Sequence, residues 1–331
     1  TGGDDPQTQL GATFEPVRFE STDGIPLAGW WIPAAASPPP RVAAPTPAAE
    51  DPTADGPAAD TGPDPEWGRR TVILCHGLGA GKGNQLALAR DLVPNGYNVL
   101  AFDFRAHGDS GGQLASFGDL ERQDVLGAVR WVRANRQGQS RRLFGLGVSM
   151  GGAALLAAAG DQSDDGRAID AVAVFSTYDT FTALADAMLD RHFVPPFGWL
   201  AKRVGVPLAS AHVGADLRAF NPAAAANRIA PRPLMVVHGR GDALIPFDAA
   251  VRLYDGASQP KVRLWVGEKN DDTGEYVIRE NPKYALDPAK PGAGKTFQPP
   301  RGLPADHNNL LYYDAAVKAV RLFFEAARPA L

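Results

Sequence analysis

The sequence predicts an α/β fold: a doubly wound, mostly parallel sheet with an N-terminal antiparallel hairpin and a helical cap. Three observations carry this. From residue 70 onward, short β-branched runs alternate with longer helical stretches. Those runs are apolar almost throughout, as strands buried on both faces must be. Two long segments interrupt the alternation beyond the point where strands of such a sheet end.

Taken in order, "VRFESTDGIPLAGWWIPA" at 17–34 reads as two strands joined by a turn at Asp23-Gly24. Residues 34–66 are dominated by Pro, Ala, Asp and Gly and predict a disordered insertion, because they offer almost nothing to pack. The strands "RTVILCH", "YNVLAFD", "RRLFGLGVS", "IDAVAVFST", "RPLMVVHG" and "KVRLWVGE" follow. Between them, "DLERQDVLGAVRWVRANR" sets Val125, Val129 and Val132 on one helical face, and the last helix does so with Tyr313, Val317, Val320 and Phe324. Residues 178–228 predict the cap, and 269–304 a polar, Pro-rich loop. All of 1–331 is expected to form one domain.

Bulk composition narrows function less than the motifs do. A net charge of -4 gives no basic footprint for nucleic acid. A single cysteine, Cys75, excludes an internal disulfide framework and a cysteine-ligated zinc site. No apolar run reaches the ~18 residues of a membrane span. The chain starts at Thr1 rather than Met, so a cell-envelope or secreted location is expected if a leading segment was removed. Membrane contact and oligomeric state stay open.

"LFGLGVSMGGAAL" places Ser149 in a G-x-S-x-G between an apolar strand and an Ala-rich helix. A serine on so tight a turn is forced into a strained backbone that projects its hydroxyl, and the following helix directs N–H groups at developing negative charge. Serine needs a base, and the chain has six histidines. With this elbow the partners follow in the order serine, acid, histidine. Asp242, just beyond the strand in "LMVVHGRGDALIP", is the acid in that order, and only His307 of "PADHNNLLYYDA" lies after it. Asp179, beyond "VAVFST", is the alternative acid; His238 reads as packed, and Asp306 as a surface or capping carboxylate.

"HGLG", "FDFRAHGDSGG", "GVSMGG", "VHGRGDALIP" and "DHNNLL" occur in the order and spacing of the α/β-hydrolase superfamily, which the chain resembles over nearly its whole length. It looks like the esterase and serine-aminopeptidase-like branch, related to Bem46-like hydrolases. The resemblance implies the α/β-hydrolase fold, with Ser149 as nucleophile, His307 as base and Asp242 as the group orienting it. It also implies an oxyanion hole from the backbone N–H groups of Leu78 and Met150. Two residues depart from the family pattern: Ala106 stands where glycine is usual in the Asp103–Ser110 loop, and Asp306 precedes the histidine where the family commonly has glycine.

"VILCHGLGAGKGNQ" suggests a phosphate cradle but meets neither nucleotide pattern. The Gly-Lys pair at 81–82 has His76 where the Walker glycine belongs, and no third Rossmann glycine follows Gly77 or Gly79. Lys82 is therefore expected to start a helix and face solvent. "KNDDTGE" lacks the calcium-loop ligands at the first and fifth positions. No metal and no organic cofactor is predicted. The expected substrate is a small or lipid-like ester or thioester. Phe193, Phe197, Trp199 and Phe220 either line its acyl pocket or pack the cap onto the sheet. An acyltransferase, a peptidase and a non-catalytic binding module remain the alternatives.

Overall fold

The computed structural model describes residues 5–37, 64–192, 197–278 and 303–327. Most of the 34–66 insertion, the 279–302 part of the long loop, and Phe193 therefore lie outside the described residues.

Eight strands form the main sheet: β1 Glu15–Glu20, β2 Pro26–Ile32, β3 Arg70–Cys75, β4 Tyr97–Phe102, β5 Arg142–Val148, β6 Ala171–Phe175, β7 Leu234–Gly239 and β8 Lys261–Val266. Their order is β1-β2-β4-β3-β5-β6-β7-β8. β1 and β2 form an antiparallel hairpin with Phe19 opposite Leu27, and β2 runs antiparallel to β4. From β4 to β8 every pairing is parallel. The hairpin turns at Gly24, whose φ of 86° suits a residue without Cβ.

Period-two alternation sorts the core into two layers. Ile73, Leu100, Val172, Val174 and Val236 face the helices Glu121–Asn135, Met150–Ala159 and Phe247–Gly256. Val72, Leu74, Val99, Ala173 and Val237 face Leu86–Leu92 and Asp314–Ala326. The predicted valine stripe is buried as Val125, Val129 and Val132, and the last helix buries Val317, Val320 and Phe324. Tyr313 lies just ahead of that helix.

Between β6 and β7 the chain folds into the helices Phe181–His192, Phe197–Leu200 and Val206–Val213. Phe181, Leu184, Leu217 and Phe220 form a third apolar cluster with Tyr178 and Ile245. The described parts of the 269–304 loop differ from the irregular excursion expected of them. They make a small antiparallel sheet of β9 Glu268–Lys269, β10 Tyr276–Ile278 and β11 Leu303–Pro304. Strands of two or three residues are too short to leave a periodic signal. Ala305, directly after β11, donates to Tyr276 O at 3.0 Å and accepts from Gly241 N at 3.1 Å. These bonds carry the 305–309 segment to the end of β7.

Candidate active site

Ser149 follows β5 with φ 54° and ψ -121°, and the Met150–Ala159 helix begins at the next residue. That left-handed backbone is costly for a serine and persists only where neighbours enforce it. Its N–H donates to Phe175 O at 2.9 Å. Gly151 permits the turn to sit against the end of β3: a Cβ there would meet Cys75 O at 2.3 Å and His76 O at 2.4 Å. Gly77 lies on the other side, where a Cβ would stand 3.4 Å from Ser149 Cβ.

His76 sets the path of that loop. Its Nε2 accepts from Phe104 N–H at 2.9 Å, so Nδ1 carries the proton and donates to Gly77 O at 2.8 Å. Burial pushes its pKa down to about 4, which keeps it neutral. Leu78 and Met150 follow on the two sides of Ser149, and both line the same cavity. Among the described residues the N–H of neither has a hydrogen-bond acceptor.

Lys82 corrects an expectation. It does open a short helical turn, Lys82–Gln85, but its side chain is buried and bonds Asp103 at 2.5 Å and Asp109 at 2.7 Å. The physical reason is Asp103, a carboxylate almost wholly removed from water that requires a counter-charge. Arg105 likewise binds buried Asp124 and, through its other edge, Asp23 of the hairpin turn. Ala106, in the glycine position, has φ 60°. The family's preference for glycine there is met by strain in this chain.

Asp242 lies beyond β7 with its carboxylate buried. Its Oδ1 accepts from Leu244 and Ile245 N–H at 3.0 and 2.9 Å. Its Oδ2 accepts from His307 Nδ1 at 2.9 Å. Burial alone would raise the pKa of Asp242, yet the His307 bond and charge and the backbone donors hold it below the usual carboxylate value. His238, fully buried, donates from Nε2 to Ile245 O at 3.0 Å and lies 3.5 Å from Asp242 Oδ2. The alternative acid, Asp179, is held by Arg252 at 2.7 Å. Asp306 accepts from Asn308 and Asn309 N–H, a turn-capping role.

Ser149 and His307 line one cavity of about 410 Å³, with no direct hydrogen bond between them among the described residues. Phe117, Tyr178, Leu184, Met188, Leu244 and Ile245 make its apolar wall. The Tyr178 hydroxyl donates to Phe117 O, tying the start of the 178–228 segment to the loop after β4. Phe197 and Trp199, expected either to line an acyl pocket or to pack the cap onto the sheet, do neither: they are 62% and 63% exposed and absent from the lining. Of their one-turn helix only Gly198 is buried. Phe220 packs into the cluster beneath. Sequence reasoning missed Phe117 and Tyr178 because each stands alone in a loop, outside any periodic run.

The model of the family described as serine aminopeptidase, S33, matches residues 68–206. The chain is 29% identical over 263 residues to the uncharacterized protein YfhR of Escherichia coli O157:H7, covering 80% of this chain and 73% of that protein. It is also similar to the Pyrococcus furiosus esterase Pf2001. In two crystal forms that enzyme gives TM-scores of 0.58 and 0.56 at 24% and 25% identity, over 80% and 79% of this chain and 86% and 85% of that one. The chain has the α/β-hydrolase fold. Its parallel strands from β4 to β8 and the strained serine after β5 accord with that fold, and hydrolysis is the activity these likenesses support.

Proposed function

We propose that this α/β hydrolase is a serine esterase that works through an acyl-enzyme on Ser149. The observation that carries the reading is one shared cavity. A serine held at positive φ and a histidine bonded through Nδ1 to a buried carboxylate both face it.

In this reading His307 Nε2 takes the Ser149 proton as Oγ attacks the ester carbonyl. The Leu78 and Met150 N–H groups receive the oxyanion, and Asp242 fixes the imidazole tautomer and stabilises the imidazolium. His307 then protonates the leaving alcohol, and water resolves the acyl-enzyme by the same steps in reverse. Serine and histidine in such sites commonly close to hydrogen-bond distance only when substrate is bound.

An ester is favoured over a peptide. Among the described residues no Asp or Glu lines the cavity to hold a free α-amine, and most of the side chains that line it are apolar. A cavity of about 410 Å³ suits a modest acyl chain. The Danio rerio relative named lysophosphatidylserine lipase ABHD12, 26% identical over 60% of this chain and 52% of its own length, also takes an ester by its name. The test is labelling with a fluorophosphonate. Folded protein is expected to label at Ser149 and Ser149→Ala to remain unlabelled and inactive on p-nitrophenyl esters; labelling elsewhere, or activity surviving the substitution, rejects the reading.

A further inference from the structure

The loop after β3 and the Asp103–Ser110 loop exchange hydrogen bonds through a pair of histidines. His76, on the first, accepts from Phe104 N–H of the second at 2.9 Å. His107, on the second, returns the contact: its Nε2 accepts from Gly79 N–H at 3.1 Å. A backbone N–H can only donate, so Nε2 of His107 is unprotonated and its Nδ1 donates to Arg105 O at 2.8 Å. The two rings stand 5.0 Å apart, edge to face. His76 sets the start of the loop after β3, and His107 holds its tip.

That tip has little other support. Ala80 N–H donates to Gly77 O at 3.2 Å and Gly79 has φ 72°, so Leu78 and Gly79 are the central residues of a tight turn. A Cβ on Gly79 would meet nothing within 4 Å, and Leu78 is 49% exposed, so packing does not fix the peptide between them. Among the described residues the only hydrogen bond of that peptide is the one to His107. The mount behind His107 is firm by comparison. Arg105, whose carbonyl receives Nδ1–H, is bonded to buried Asp124 and to Asp23.

We propose that His107 is a positioning residue for the oxyanion hole: by accepting from Gly79 N–H, its Nε2 keeps Leu78 N–H where the substrate's carbonyl oxygen becomes negative. This rests on the serine-esterase reading. His107 does not line the cavity, so it acts through the 77–80 turn and touches no substrate. An oxyanion donor is effective only within a few tenths of an ångström of its proper place, which a turn with one anchor at its tip cannot keep once that anchor is lost.

The test separates the two nitrogens. Asparagine carries its amide where Nδ1 stands and can still donate to Arg105 O, whereas glutamine reaches to where Nε2 stands and can still accept from Gly79 N–H. With p-nitrophenyl butyrate, His107→Asn is expected to lower kcat about 10²-fold with little change in KM, the scale of losing one oxyanion donor. His107→Gln should restore most of it. A second readout is the preference for p-nitrophenyl butyrate over its thionobutyrate analogue, each referred to its rate with hydroxide. Sulfur is the poorer acceptor from N–H groups, so the preference should fall in His107→Asn and persist in His107→Gln. As a ratio within one preparation it is independent of the folded fraction. Wild-type kcat in His107→Asn, equal losses in the two variants, or an unchanged preference overturns the proposal. Should His107→Asn fail to fold, His107→Phe replaces it; failure of both makes His107 structural and overturns the proposal too. Absence of Ser149 labelling in wild-type protein is a different outcome, and removes the esterase reading beneath it.

Discussion

Ser149 and the 76–78 loop are fixed by main-chain contacts at the ends of β3 and β5, whereas Asp242 and His307, 65 residues apart, meet through one side-chain hydrogen bond. The first half is steric: a left-handed serine, a glycine with no room for a methyl group, a histidine bonded to backbone on both nitrogens. The second half is electrostatic: a buried carboxylate surrounded by two backbone donors and two imidazoles. The difference teaches how each half should fail. Substitutions in the first should act on folding and backbone path, and those in the second on protonation state with the fold intact.

The largest effect tests the second half. Asp242→Asn keeps the size of the side chain and can still receive the Leu244 and Ile245 N–H bonds, but it favours the wrong tautomer of His307. We expect kcat to fall by about 10⁴-fold with little change in KM. The unfolding midpoint at pH 7 should move much less than activity does. Steady-state kinetics beside urea denaturation checks this. A variant that loses activity only in proportion to its unfolded fraction would place Asp242 in the scaffold and erase the contrast between the halves.

Gly151→Ala probes the first half. A methyl group 2.3 Å from Cys75 O and 2.4 Å from His76 O meets backbone on the central strands, which has no rotamer to escape into. A loss of about 4 kcal/mol in stability is expected, the upper range for overpacking and strain at a buried site. Denaturant titration measures it. A loss under ~1 kcal/mol would show that the β3 and β5 ends yield more readily than their packing implies.

The same division explains what the sequence makes legible. The serine turn, its strand and its helix are contiguous, and the steric demand is written in the glycines beside it, so Ser149 can be read from a dozen residues. Asp242 and His307 required a rule about chain order, because their contact depends on β7, β10 and the segment after β11 meeting in space. Lys82 was misplaced for the same reason: its partners Asp103 and Asp109 are 21 and 27 residues away, and a lysine after a glycine-rich loop looks solvated until they are seen. Phe197 and Trp199 show the limit from the other side. Aromatic residues in a short helix identify neither what that helix packs on nor which face it turns outward.

The smallest expected effect separates the halves by pH. His76 has its pKa lowered to about 4 by burial, against 6.5 for an ordinary imidazole. The unfolded chain therefore binds a proton that the folded chain refuses, and stability rises with pH through this window. The His76 contribution is fully present above pH 6.5 and is lost as pH falls towards 4, roughly 3 kcal/mol in all. Burial lowers the pKa of His238 as well, so wild-type protein has more than one source of this slope. Asp242 is shifted down from 3.8, and its contribution is lost only at lower pH still. His76→Gln retains a donor and an acceptor but cannot titrate. It should be less stable than wild type at pH 7, with the gap narrowing as pH falls from 6.5 to 4.5. Urea midpoints measured for both proteins across that range give the difference directly, and the carboxylates common to both cancel. Parallel curves would mean that His76 is protonated in the folded protein, and the steric half of the site would then hold a charge that its geometry, with Nε2 accepting from Phe104 N–H, does not accommodate.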